Sequence, residues 1–198
     1  LVDTMSAFGA IPVDTPALGI TALAASANKC LEGVPGIGFL VAETSQVAAA
    51  KGNATSLSLD IHDQWHGFEN NGQWRFTPPT HVMAALDAAL DQLVEEGGVA
   101  GRGARYAANC HRLVTGMRRL GFETLLNDAD QAPIIVTFRM PDWPGFTFRR
   151  FYDALHERGF VIYPGKITAV ETFRIGCIGA LTPADMDAAV EAVAAVLK

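Results

Sequence analysis

Leu23-Ala-Ala-Ser-Ala-Asn-Lys-Cys30 is the stretch on which the reading of this chain turns. A run of small apolar residues, without charge or bulk, ends at Asn28 and a single lysine, Lys29. Leu31-Glu-Gly-Val-Pro-Gly-Ile-Gly38 follows, a loop with three glycines and a proline, and then a second apolar run, Phe39-Leu-Val-Ala42. Short apolar runs punctuated by Gly and Pro read as buried strand, tight turn, buried strand, with the lysine at the lip of the first strand. An ammonium beside so much apolar sequence is costly unless it is paired or kept neutral. A desolvated amine is what Schiff-base chemistry with a carbonyl cofactor requires. The plainer alternative is a strand-end lysine whose head snorkels to water.

The remaining lysines narrow the choice. There are four: Lys29, Lys51, Lys166 and Lys198. Lys51 closes a polar-faced helix, Lys198 is the last residue, and Lys166 follows Tyr163-Pro-Gly in an expected turn. Only Lys29 stands where burial could tune it.

Composition sets the outer bounds. The 198 residues are 49% hydrophobic and 18% charged, enough apolar sequence for one large domain or two small ones. The net charge of −6 argues against a nucleic-acid or anionic-membrane partner, which would call for clustered Lys and Arg. No apolar run approaches the roughly 18 residues a bilayer span needs. Three widely separated cysteines, Cys30, Cys110 and Cys177, favour reduced thiols and a cytoplasmic compartment. Leu1-Val2 already reads as strand interior, so the chain is expected to start in mid-domain.

Outward from Lys29, Leu1–Phe8 reads as a short strand running into Gly9, and Thr44–Lys51 as a short helix closed by Gly52. Asn53–Pro79 is polar, aromatic and without periodicity, and is expected to be a long functional or interface loop. Thr80–Glu96 carries Val82, Leu86, Leu90 and Leu93 at helical spacing, stopped by Gly97. A second helix, Val99–Leu120, has Tyr106, Cys110, Leu113, Val114 and Met117 as its apolar stripe and five arginines as an expected solvated face. Ile134–Phe138, Phe160–Tyr163 and Thr172–Cys177 read as strands, and Thr147–Arg158 as a helix between the first two of them. The last helix opens with Thr182 as N-cap, Pro183 at N1 and Asp185 close behind. Strands alternating with helices in this way make a small α+β layer domain.

Asp3 precedes Lys29 by 26 residues, and both stand at apparent strand ends, where they could face one crevice. A carboxylate there could keep a pyridine nitrogen protonated, or could simply cap its own loop. His62 and His66 are four apart and could share a helix face as metal ligands, but no third ligand stands out, and no metal is assigned. Gly33, Gly36 and Gly38 lack the spacing and the following helix of a dinucleotide fingerprint. Cys30 reads as a small buried filler rather than a nucleophile.

Four motifs in order carry a resemblance: Asp3-Thr-Met-Ser-Ala-Phe-Gly9, Ser26-Ala-Asn-Lys-Cys30 with Gly33-Val-Pro-Gly36, Phe76-Thr-Pro-Pro-Thr-His81, and Phe173-Arg-Ile-Gly176. Together they resemble the C-terminal portion of a class V, fold-type-I aminotransferase, over essentially the whole chain. Ser56-Leu-Ser-Leu-Asp60, Trp74-Arg-Phe-Thr77 and Phe160-Val-Ile-Tyr-Pro-Gly-Lys166 point to the branch that moves the amino group of 2-aminoethylphosphonate to pyruvate. The resemblance implies an α/β fold, with residues 1–96 as the C-terminal part of a large domain that binds pyridoxal 5'-phosphate. Residues 97–198 would be a linking helix and a small α+β domain. It implies Lys29 as the lysine that holds the cofactor and Asp3 as the partner of its ring nitrogen. Thr77 would reach the cofactor phosphate of the neighbouring subunit in a homodimer, and Arg174 would clamp the substrate's anionic group. Strand alternation puts Arg174 and Gly176 on one face and Phe173 and Ile175 on the other, leaving room beside a guanidinium fork.

Members of the family resembled are about twice this length, with an N-terminal half that holds the main phosphate cup. The chain alone is therefore expected to lack activity and to expose apolar surface. Two alternatives stand beside this reading: an alanine– or serine–glyoxylate aminotransferase of the same class, and a non-catalytic fragment.

Overall fold

The apolar run around Leu23 does form a strand, and it is the middle one of three. The computed structural model describes residues 1–165 and 169–198, so Lys166 and its expected turn lie outside the described residues. The chain divides into two units, Leu1–Glu96 and Gly97–Lys198.

In the first unit the sheet order is β1 (Val2–Asp3), β2 (Ala22–Ser26), β3 (Gly38–Ala42). β1 runs parallel to β2, with Val2 opposite Leu23 and Asp3 opposite Ala24. β2 and β3 are antiparallel, with Leu23 opposite Val41 and Ala25 opposite Phe39. The sheet is thus mixed rather than the parallel arrangement that two-sided burial suggests. Residues 27–37 are too few for a parallel crossover, which takes about a dozen or more. Nor is β2 buried alike on both faces: Leu23 and Ala25 are almost wholly enclosed, whereas Ala22, Ala24 and Ser26 are half-buried. Ala27, Leu31, Leu86 and Leu93 form the core, with Phe8, Ile37 and Phe39 packed on it. Phe8 meets Phe39 edge to face at 5.3 Å.

α1 (Thr44–Ala49) follows β3. The expected long loop then proves to contain a helix, α2 (Ile61–Asn71). Asp60 caps it by accepting from the Asp63 amide at 3.1 Å, and Gly72, at φ 68°, ends it in the left-handed conformation. α3 (Thr80–Glu95) buries Leu86, Ala89 and Leu93. Leu90, expected in the stripe, is 40% exposed while Ala89 is buried, so the buried arc of α3 lies to the Ala89 side of the Leu86–Leu93 line.

In the second unit α4 (Gly98–Arg119) buries Tyr106, Cys110, Leu113, Val114 and Met117. β4 (Ile135–Arg139), β5 (Tyr163–Pro164) and β6 (Thr172–Gly176) form an antiparallel sheet in the order β4-β6-β5. Only Tyr163 and Pro164 pair where Phe160–Tyr163 was expected to form a strand. α5 (Phe148–His156) and α6 (Pro183–Val196) cover the core, where Phe122, Phe138 and Phe151 gather round Phe173 at 5.4–5.5 Å between rings. Thr182 and Asp185 close the start of α6: the Thr182 amide and hydroxyl both donate to Asp185 Oδ2 at 2.7 Å.

The arginines of α4 are not all solvated as expected. Arg102 is 1% exposed, and Arg105 donates to the Gly179 and Leu181 carbonyls at 2.6 and 3.0 Å. A guanidinium with five donors can satisfy loop carbonyls that an ammonium would serve less completely. None of the described helices is long and apolar enough to cross a membrane.

Candidate active site

Because β1 and β2 are parallel, their carboxyl ends share one edge of the sheet, the place where open α/β sheets form ligand crevices. Asp3 is the last residue of β1, level with Ala24, so alternation turns Asp3, Ala24 and Ser26 to one face. Asp3 is exposed, and its Oδ1 accepts from the Met5 amide at 2.9 Å. That bond is the loop cap weighed from sequence, and it engages one of the two carboxylate oxygens. Thr4 anchors the turn by donating from both its amide and its hydroxyl to the Ala24 carbonyl, at 2.9 and 2.8 Å.

Lys29 lies three residues past β2 in a tight turn. The Glu32 amide donates to the Lys29 carbonyl at 3.0 Å, and the Gly33 amide to the Ala27 carbonyl at 2.8 Å. A Cβ at Gly33 would sit 2.9 Å from that same carbonyl oxygen, so only glycine allows the closure. The turn sends Ala27, Cys30 and Leu31 into the interior and leaves Lys29 exposed. The burial expected for this amine is therefore absent from this chain. Its apolar neighbours belong to the strand and to the inward positions of the turn, not to the surroundings of the Lys29 head.

The loops after β1 and β2 are fastened together. The Cys30 thiol donates to the Ser6 carbonyl at 3.3 Å, and a Cβ at Gly9 would meet Leu31 Cδ2 at 2.7 Å. Cys30 is thus a tie between the Asp3 loop and the Lys29 turn, a role its sequence context did not reveal. Ser26 Oγ is buried without a hydrogen-bond partner among the described residues, on the same strand face as Asp3.

Thr77 lies in the segment between α2 and α3, in the same unit, and is exposed. Just before it, Arg75 Nη2 approaches Asp63 Oδ2 at 3.1 Å and Nη1 approaches Asp60 Oδ2 at 3.9 Å. His62 Nδ1 lies 3.0 Å from Asp63 Oδ1, and that hydrogen bond, with the Arg75 charge, holds the Asp63 carboxyl below its ordinary range. Asp60, His62 and Asp63 bring three ligand-type atoms within 4.8 Å of one another, but Arg75 already supplies a cation to both carboxylates. His66 does share a face of α2 with His62, their rings stacked at 5.9 Å, and its Nε2 lies 2.8 Å from Asn70 Nδ2.

Arg174 belongs to the second unit, on β6 between Thr137 of β4 and Tyr163 of β5. Its Nε donates to the Pro164 carbonyl at 3.1 Å, and its guanidinium carbon lies 6.0 Å from the centre of the Tyr163 ring. Phe173 and Ile175 are buried on the opposite face, and a Cβ at Gly176 would meet nothing within 4 Å. The other two cysteines, Cys110 and Cys177, are buried and reduced. The hydrogen bond that the Cys177 thiol donates to Cys110, reinforced by burial, pushes Cys177 far above its ordinary range, so it is no nucleophile.

The model of class-V aminotransferases matches residues 1–181. The chain belongs to the class-V aminotransferase family. Within it, the chain is 55% identical over 194 residues to 2-aminoethylphosphonate--pyruvate transaminase 1 of Burkholderia lata, covering 98% of this chain and 53% of that protein. It is also 55% identical over 198 residues to 2-aminoethylphosphonate--pyruvate transaminase of Burkholderia ambifaria, again covering 53% of it. The chain spans about half the length of the curated relatives it matches.

Solved aminotransferase structures share its fold. Alanine--glyoxylate aminotransferase from Nostoc sp. superposes with a TM-score of 0.87 at 20% identity, over 100% of this chain and 54% of that one. Pyridoxamine-pyruvate aminotransferase from Mesorhizobium loti gives 0.87 at 24%, over 100% of this chain and 51% of that one. The fold is therefore the α/β fold of fold-type-I aminotransferases, spanning about half of each neighbour.

Proposed function

We propose that this chain carries the lysine-bearing part of a pyridoxal-phosphate aminotransferase that passes the amino group of 2-aminoethylphosphonate to pyruvate. The products are phosphonoacetaldehyde and L-alanine, so the amine and the carbonyl oxygen exchange owners and the atoms balance. One observation supports this choice most strongly: 52–55% identity along nearly all of the chain to transaminases named for those two substrates. The likeness to a glyoxylate aminotransferase, at 20% identity, speaks for the fold alone.

The donor set fits the cofactor. Pyridoxal phosphate, when bound, supplies an aldehyde that takes up amino groups and an electron-poor ring that accepts the electrons of the broken C–H bond. Three of its groups need protein partners, and the first unit offers one chemical match for each. The Lys29 amine suits the aldehyde, the Asp3 carboxylate the protonated ring nitrogen, and the Thr77 hydroxyl the phosphate. Ser26 Oγ, buried and unpartnered among the described residues on the Asp3 face, is a further donor on that edge. Lys29 Nζ, the amine of this set, would serve as the general base and then the general acid for the proton of that C–H bond. Arg174 grips the anionic end of the substrate with its two terminal nitrogens, while the Pro164 carbonyl holds its Nε.

We further propose that residues 1–96 belong to the large cofactor-binding domain and 97–198 to the linking helix and small domain. The working unit on this reading is a cytoplasmic homodimer in which Thr77, exposed on this chain, serves the neighbouring subunit's cofactor. Lys29 and Asp3 both stand open to water, the opposite of what Schiff-base chemistry needs, so this chain by itself is expected to give no turnover.

The test compares amino donors and acceptors in the holoenzyme. 2-Aminoethylphosphonate with pyruvate should give the highest kcat/KM. Faster turnover of alanine or serine with glyoxylate would move the protein to the glyoxylate branch.

A further inference from the structure

Residues 73–76 return along α2, from its C-terminal end toward its N-terminal end. The Gln73 amide donates to Asn71 Oδ1 at 2.9 Å, and the Trp74 ring meets Phe68 edge to face at 5.3 Å. One residue on, the Arg75 amide donates to Gln64 Oε1 at 3.4 Å, and its guanidinium reaches Asp63 and Asp60 at the opening turn of the helix. The same guanidinium lies 5.4 Å from the centre of the Phe76 ring. Asp60 serves twice, since Oδ1 caps α2 and Oδ2 faces Arg75. Where the strap crosses the helix stands Gly67, whose added Cβ would come within 3.3 Å of the Gln73 carbonyl oxygen. A mid-helix glycine costs about 1 kcal/mol against alanine, so close backbone approach is the reason for it here.

From these contacts we propose that Arg75 is a positioning residue: it locks the 73–76 strap onto α2 and so fixes the backbone that presents Thr77 to a phosphate group. This deepens the functional reading above and rests on its assignment of Thr77. The strap has no regular secondary structure of its own, and Thr77, two residues beyond Arg75, is exposed. Its hydroxyl can be held to a fixed phosphate only if the backbone just before it is held, and Arg75 has the largest number of fastenings there. The planar fork is what lets one side chain face two carboxylates set three residues apart on a helix. A lysine ammonium, a single point charge, would serve one of them.

The experiment uses the holoenzyme and three variants, Arg75→Met, Asp63→Asn and Thr77→Ala, with Arg75→Lys as the conservative control. Two quantities are read: affinity for pyridoxal phosphate against pyridoxal, which lacks the phosphate, and hydrogen exchange of the amides of residues 74–77. Arg75→Met should speed exchange there and weaken pyridoxal phosphate by about tenfold, the scale of one charge-assisted hydrogen bond, while pyridoxal binding stays the same. Asp63→Asn should do the same more weakly and carries the test if Arg75→Met does not fold. Arg75→Lys should recover part of the loss. Faster exchange with unchanged preference for the phosphorylated cofactor overturns the proposal, since the strap would then be structural only. So does an equal loss for both cofactors. Thr77→Ala tests the underlying assignment separately: if it leaves pyridoxal phosphate affinity intact while Arg75→Met lowers it, the strap positions a group other than Thr77.

Discussion

Gly116→Ala offers a demanding test of the packing in the second unit. Gly116 lies in the last turn of α4, three residues before Arg119, and alanine within a helix is normally worth up to about 1 kcal/mol over glycine. Propensity alone therefore predicts stabilisation. The structure predicts the reverse. A Cβ at Gly116 would lie 2.6 and 2.7 Å from the two γ-methyls of Val190 on α6 and 3.1 Å from its Cβ, against an ordinary carbon contact of about 3.5–4.0 Å. Val190 cannot swing clear, because a β-branched side chain in a helix has essentially one χ1 rotamer. The two helices must separate, and overpacking of this kind costs about 3 kcal/mol at the upper end of its usual range. After the propensity gain, a net loss of about 2 kcal/mol remains. For a unit of about a hundred residues that is a fall in Tm on the order of 10 °C. Urea unfolding followed by Trp143 fluorescence reads it, because Trp65 and Trp74 lie in the other unit and Trp143 packs 4.9 Å from Phe122. Val190→Ala should cost about 1 kcal/mol alone, yet restore stability when combined with Gly116→Ala. A raised midpoint for Gly116→Ala, or additive losses in the double variant, would refute the close α4–α6 approach.

Two further outcomes follow from single contacts. Arg174→Lys keeps the charge but loses the fork and the Nε bond to Pro164, so KM for the anionic substrates should rise in the holoenzyme while the cofactor's absorbance is unchanged; equal affinity after Arg174→Ala would place the anion clamp elsewhere. The hydrogen bonds from Thr182 hold the Asp185 carboxyl below the ordinary carboxylate range, so its stabilisation is complete above the unfolded carboxylate range and is lost as pH falls through the folded value. The stability gap between the natural chain and Asp185→Asn should accordingly narrow as pH falls from neutrality through the acid range, and a gap independent of pH would remove the capping box from the account.

Where side chains sit on a regular period, the sequence was legible. α4 buries Tyr106, Cys110, Leu113, Val114 and Met117 because five apolar residues at helical spacing admit one solution. β6 buries Phe173 and Ile175 for the equivalent reason at period two, and the start of α6 is written in Thr182-Pro-Ala-Asp185. α2 was less visible because its charged and amide residues hide three apolar ones. Ile61, Trp65 and Phe68 do stand at helical spacing, and with the Asp60 cap and Gly72 stop they were the signal to read. The burial of Arg102 and the exposure of Lys29 were hidden for a different reason. Composition says what a side chain costs to bury, whereas tertiary contacts decide whether it is buried, and those of Arg105 come from residues more than seventy positions away. The Cys30–Ser6 bond and the Arg75 strap likewise join residues whose meeting no local pattern encodes.

The central claim is that Lys29 is the amine that holds the cofactor. Borohydride reduction of the holoenzyme, followed by peptide mapping, tests it most directly by fixing pyridoxal phosphate irreversibly on whichever lysine carries it. The account predicts label on Lys29 alone, and Lys29→Ala should abolish labelling and lower turnover by several orders of magnitude. Label on Lys166 with Lys29 unmodified would contradict it.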